Sequence, residues 1–192
     1  MPYSDYPISG TAVSGPDASS TLLAVWQSAI AAITGLPGKF VRPRWQRNAP
    51  IRPGADVNWC GFGISGTTPD NDAYVTTQGE SGTLVRYKTG TLAISFYGPN
   101  CQENAEVLRD GLEVPFNRSA LSAQAIAIVR SEPTVHVPEQ VDDLWYDRAD
   151  VSFLITWETR RTYAILSFVS ASGIIYGHGP DPAITVPFSV SQ

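Results

Sequence analysis

The stretch Leu84 to Leu112, LVRYKTGTLAISFYGPNCQENAEVLRDGL, constrains the fold more than any other part of the chain, because it reads as sheet followed by a signalled helix start. Thr89-Gly90 has the chemistry of a two-residue hairpin turn, which sets Val85 opposite Ile94, Tyr87 opposite Leu92 and Thr83 opposite Phe96. Tyr97-Gly98-Pro99 then breaks the strand. Asn100 is placed to cap the following helix, with Glu103 at its third position, where the carboxylate reaches back to the cap's amide. On that helix Ala105, Leu108 and Leu112 share one side while Glu103, Glu106 and Asp110 lie nearly opposite, so the sheet-facing and outward sides are separately written.

From Met1 to Ala18 the chain is rich in Pro, Gly, Ser and Asp without a period, the composition of an extended or disordered leader. Leu22, Leu23, Trp26, Ile30 and Ile33 recur at helical spacing behind Ser19 or Ser20 as cap, and Gly35 with Pro37 supplies the stop. No charge falls between Ser19 and Gly38, and the outward side offers Ala24, Gln27, Ser28 and Ala31. A helix without Lys or Glu on its outward side is expected to be covered there as well, by a neighbouring subunit. Phe40 to Pro53, FVRPRWQRNAPIRP, spaces Arg42, Arg44, Arg47 and Arg52 among prolines and Trp45, which excludes a central strand or a helix. It reads either as an edge segment whose arginines pair with carboxylates or as a dedicated phosphate or partner site. Val57 to Ile64, VNWCGFGI, is a strand with a close backbone approach; Gly66 to Asp72 is turn chemistry, and Ala73 to Gln78 a further short strand.

Beyond Leu112, Pro115 stops the helix and Asn117 to Gln124 reads as a second short one, a helix-turn-helix pair for one sheet face. Ile126 to Arg130 reads as a buried strand, and Val135 to Val137 as a short one ended by Pro138. Val151, Phe153, Ile155 and Trp157 alternate with Ser152, Leu154, Thr156 and Glu158, the clearest period of two in the chain and the mark of a central antiparallel strand. Arg160-Arg161 is expected at its bend or polar end, with Ala164 to Val169 returning as its partner. The last residues alternate prolines with β-formers and fit an extended arm able to add to another subunit's sheet edge. The expected fold is α+β: a single domain over residues 19–177, a mostly antiparallel sheet with a long N-terminal helix and the helix-turn-helix pair on one face. Extended arms flank it at 1–18 and 178–192.

A chain of 192 residues is long enough for one well-filled core. No run approaches the roughly 20 apolar residues of a membrane span, and the opening MPYSDYPISG has neither the basic region nor the apolar segment of a secretory signal. Cys60 and Cys101 are therefore expected to stay reduced. A net charge of −5 opposes a general role in gripping phosphate backbones. His136 and His178 belong to no ligand-spaced cluster, and Cys60 among aromatic residues reads as a small core hydrophobe. Asp142, Asp143, Asp147 and Asp150 lack calcium-loop spacing, and Asn117-Arg118-Ser119 is a glycosylation triplet without an export route. No catalytic, metal or cofactor site is expected. An aromatic-rich ligand-binding module using Trp45, Trp59 and Trp145 as platforms is a more remote reading.

Four runs, ITGLPGKFVRPRWQRNAP, VNWCGFGI, SFYGPNCQENAEVLRDGL and RADVSFLITWETRRTYAILSFVSASG, together cover most of Leu22 to Gly173 and resemble the neck or tail terminator family of tailed bacteriophages. The resemblance implies a virion assembly protein, made in the bacterial host cytoplasm, that caps the tail tube, stops its growth and joins it to the head connector as a hexameric ring. A tail tube or head-tail adaptor subunit is the nearest alternative. The implied partners are further copies of itself, the tail tube protein and the neck or connector protein, with DNA passing unheld and no membrane. A ring built from one chain needs two different complementary surfaces. Ala24, Gln27, Ser28 and Ala31 on the first helix, with Arg42, Arg44 and Trp45, are the candidates for them. A wall of carboxylates would let DNA slide, so Glu103, Glu106 and Asp110 either face the channel or form an ordinary solvated helix side.

Overall fold

Seventeen consecutive residues, Ser81–Tyr97, form one strand, and seventeen more, Arg148–Ala164, pair with it antiparallel along its whole length. The computed structural model describes residues 12–14, 18–48, 50–78, 81–141, 143–164, 170–176 and 185–191. In chain order its elements are β1 (Ala12–Ser14), α1 (Ala18–Thr34), β2 (Val41–Pro43), β3 (Trp59–Pro69), β4 (Tyr74–Gln78), β5 (Ser81–Tyr97), α2 (Cys101–Gly111) and α3 (Pro115–Ser122). Then follow β6 (Ile126–Ser131), β7 (Val135–His136), β8 (Glu139–Val141), β9 (Leu144–Tyr146), β10 (Arg148–Ala164), β11 (Ser170–Tyr176) and β12 (Thr185–Ser191). The main sheet runs β1-β10-β5-β3-β2; β4 adds to β5, and β6 and β7 add to the far side of β10. Every pairing is antiparallel except β2 with β3. The chain is thus α+β with a mostly antiparallel sheet.

The expected turn at Thr89-Gly90 does not form. Gly90 pairs with Ile155 in mid-strand, so Val85 and Ile94 lie nine residues apart along one strand, roughly 30 Å at strand rise, and on opposite faces. The reversal instead joins β4 to β5, with Gln78 opposite Ser81; residues 79–80 lie outside the described set. Likewise β3 continues through Gly66, in positive φ, and a register shift to Pro69, which shortens the expected turn at Gly66 to Asp72.

Alternation along β10 is as the sequence predicts. Val151, Phe153, Ile155 and Trp157 are buried, and across the ladder they meet Ile94, Leu92, Gly90 and Lys88. Cys60 and Phe62 of β3 extend the same apolar face beside Phe96 and Ile94. Trp26 and Ile30 of α1, with Ala105 and Leu108 of α2 and Leu112 just past its end, close it from above. Each large side chain fully buried there contributes about 1.5–3 kcal/mol. The strand-to-helix corner is built as expected at Gly98, whose φ of +99° admits glycine readily, and Asn100 occupies the cap position. The capping box is absent, however. Asn100 makes no side-chain cap bond, and its own amide donates to Asn58 Oδ1 at 2.9 Å, which leaves Glu103 exposed.

Two further expectations change, at β6 and at the far end of β10. Ile126 is buried but Ala127, Val129 and Arg130 are exposed, because among the described residues β6 pairs with β10 alone and covers an edge. Arg160 and Arg161 are exposed within β10, which runs on to Ala164; residues 165–169, expected to return as its partner, lie outside the described set. Part of the leader is a strand, β1, on the β10 edge, while β11 and β12 pair with each other in a two-stranded ribbon. Among the described residues no helix is long and apolar enough to cross a membrane.

Candidate interaction surface

The sheet face turned away from α1 and α2 is polar and aromatic where the other is apolar, and strand register decides what meets on it. Trp59, Tyr97 and Arg148 are aligned across β3, β5 and β10, and one step along lie Gly61, Ser95 and Asp150. Trp59 stacks on Tyr97 with ring centroids 4.3 Å apart and planes 9° from parallel. Arg148 donates to both Asp150 oxygens, Nε at 2.8 Å and Nη2 at 2.7 Å, and through Nη1 to Glu139 Oε2 at 2.7 Å. Arg52, from the loop after β2, donates to Glu139 Oε1 at 2.6 Å and lays its guanidinium over Tyr146, 4.0 Å from the ring centroid, and over Tyr97 at 4.9 Å. Ser95 donates to Asp150 and accepts from Arg44, so the network runs from β8 to the loop after β2.

These contacts set the charges. Burial pushes the Glu139 carboxyl up, but hydrogen bonds from Arg52 and Arg148 and their charge outweigh it, and the group titrates below its ordinary value. The Asp150 hydrogen bond, against burial, holds Arg148 above the usual arginine range.

Beside this network the loop leaves a cleft of about 370 Å³ lined by Arg42, Arg44, Trp45, Arg52, Trp59 and Tyr97, among others. Its outer wall is Trp45, in positive φ and 71 % exposed. Gly63 lies beneath that ring: a Cβ there would come within 2.5 Å of it, so the glycine lets the indole lie on the backbone. This is the close approach expected of VNWCGFGI. Arg42 is turned onto main-chain carbonyls, Nε to Lys39 at 3.1 Å and Nη1 to Ile51 at 2.7 Å. Of the two readings of the arginine segment, carboxylate pairing therefore holds directly for Arg52 and through Ser95 for Arg44.

The other residues singled out in the sequence separate. On α1, Ala24 and Ser28 are exposed; Gln27 is engaged within the chain, its amide donating to Gly38 O at 3.2 Å and Val41 O at 2.9 Å, and Ala31 packs partly against the core. Glu103, Glu106 and Asp110 are all exposed on α2, with Arg109 3.5 Å from Asp110. His136 lies 3.7 Å from Asp147 at the surface, Asp142 and His178 fall outside the described residues, and burial pushes the Cys60 thiol up to about 12. Among the described residues no three His, Cys, Asp or Glu side chains cluster as metal ligands. Ser95, Tyr97, Glu139, Tyr146 and Arg148 were not singled out from the sequence. Arg148 and Asp150, two apart on a strand and so on one face, were the available signal, but their partners depend on register.

The main sheet is thus sealed by helices on one face and carries an arginine and aromatic cleft on the other. The chain belongs to the phage neck terminator protein family, whose model matches residues 21–179. It is accordingly a phage structural protein with a head-tail joining role, a component of the virion in contact with other head and tail proteins. The comparison with curated proteins gives no match.

Proposed function

We propose that the protein closes into a ring of six copies that caps the tail tube, ends its polymerisation and joins the tail to the head connector. The observation that carries this reading is the presence of two unlike surfaces on one chain. The charge-free α1 turns small residues, Ala24 and Ser28, to solvent, whereas the far sheet face beyond the arginine cleft carries half-buried Thr91, Ala93, Ser152 and Thr156. A ring of identical copies closes through a heterologous contact and requires such a pair. In this ring Glu103, Glu106 and Asp110 line the channel, where carboxylates repel the phosphates of passing DNA.

Native mass measurement on the purified protein, with electron microscopy of tubes grown with and without it, tests the proposal. One species of six times 20.7 kDa and tubes that stop growing when it is added are the expected results. Ala24→Arg with Ser28→Arg should release monomers without lowering the unfolding free energy of the single chain by more than about 0.5 kcal/mol, since both sites are exposed. A continuous series of polymers would mark a tube subunit instead, and a persistent monomer would remove the ring.

A further inference from the structure

The cleft beside β2 carries more positive charge than the chain neutralises. Arg42, Arg44, Arg52 and Arg148 meet only two carboxylates in the network, Glu139 and Asp150, a surplus of two positive charges in a protein whose net charge is −5. Among the described residues none that lines the cleft is acidic. Two of the residues that line it also carry covered donors, Arg52 Nε and Trp59 Nε1, which find no acceptor among the described residues, as buried polar groups rarely do. The aromatic wall is equally incomplete, since Trp45 leaves most of its indole to solvent although Gly63 holds it against the sheet.

We propose that this cleft is the docking site for an extended acidic segment of another virion protein, its carboxylates paired with Arg42 and Arg44 and an adjoining proline or apolar side chain laid on Trp45. The proposal is separate from ring closure: it rests on the family's contact with other head and tail proteins and adds the chemistry of one such contact. Guanidinium forks match carboxylates in two-point geometry, and an exposed indole provides the flat apolar contact that extended segments use. Duplex DNA fits worse. Its affinity comes from many phosphate contacts spread over a broad surface, whereas these donors are gathered inside one concavity with a surplus of only two charges. The acidic α2 of a second copy fits worse too, because its carboxylates stand on a convex helix and an extended chain enters a cleft more deeply.

The test uses the full chain and a labelled peptide of alternating glutamate and proline, with its glutamine counterpart and an oligothymidylate as competitors, followed by fluorescence anisotropy and tryptophan emission. Saturable binding of the glutamate peptide is expected, weakened about tenfold or more by Arg42→Glu and by Trp45→Ala, with the native mass of both variants unchanged. Trp45→Ala changes an exposed ring, so it stays informative should Arg42→Glu disturb the loop. Equal binding of the glutamine peptide, displacement by the oligothymidylate, or a smaller native mass in either variant would each overturn the proposal, the last by assigning the cleft to another copy. Capping and ring closure are read from the unaltered protein's mass and tube lengths, so the ring can fail while the cleft stands.

Discussion

Trp157 of β10 lies diagonally across the ladder from Gly90 of β5, so close that a Cβ on residue 90 would come 3.1 Å from Cη2 of the indole and 3.3 Å from Cγ2 of Ile64. The glycine is there for the ring, not for a turn. Gly90→Ala must displace its neighbours by a few tenths of an ångström, and Gly90→Val adds two methyl groups beyond that Cβ to a space already filled. We expect the valine variant to lose about 1–3 kcal/mol in urea denaturation, more than the alanine variant. Trp157→Leu should restore part of that loss in the double variant, because it removes the group that is struck.

That pair also shows where sequence reading stopped. Local period was sufficient for Val151 to Trp157 and for the buried side of α2, because each follows from neighbours within one turn or two strand steps. Gly98 and Asn100 were legible for the same reason. Thr89-Gly90 was misread since its surroundings are set by Trp157, remote in the chain, and the Asn100 amide is taken by Asn58, 42 residues away, in place of nearby Glu103. The cleft was half legible. Arg42, Arg44 and Trp45 stand together in sequence, but Arg52 meets Glu139 from 87 residues away, and only strand register brings Tyr97 and Arg148 beside them.

The Glu139 carboxylate gives the fold an acid dependence of known sign. Held below its ordinary value of 4.5 by Arg52 and Arg148, it binds protons less readily folded than unfolded. Its contribution is complete above the unfolded value and is lost as the pH falls through the lower folded one. Denaturation midpoints measured from neutral pH down to about pH 3 should therefore fall less steeply for Glu139→Gln than for the unaltered chain. The variant should start lower, with Arg52 and Arg148 deprived of their shared partner. Parallel curves would mean that Glu139 is no better held in the fold than in the open chain.

Burial pushes the Cys60 thiol from 9.0 up to about 12, three units and so about a thousandfold less thiolate at mildly alkaline pH. Burial and then the charge of Asp147 also raise Cys101. Both thiols are free and buried. Alkylation by iodoacetamide near pH 8 should be slow in the native protein for both, and fast for both in guanidinium. Peptide mapping after a short exposure checks this, and rapid native labelling of Cys60 would show that the β3 face opens far more readily than its packing implies.

Lysine at Glu103, Glu106 and Asp110 together tests the channel assignment with little risk to the fold. All three side chains are exposed, and Asp110 makes only a 3.5 Å contact with Arg109. Glu103 stands in the first turn of α2, where its charge favours the helix by about 0.3–1 kcal/mol; Asp110 stands in the last, where a cation is the better choice. The two changes offset, so the denaturation midpoint and ring mass should hardly move. DNA release is expected to slow, because a basic wall retains phosphate, and to recover as salt is raised and those contacts weaken. Release measured by dye uptake from particles carrying the triple variant decides it: unchanged kinetics at low salt would place α2 on the outside of the ring.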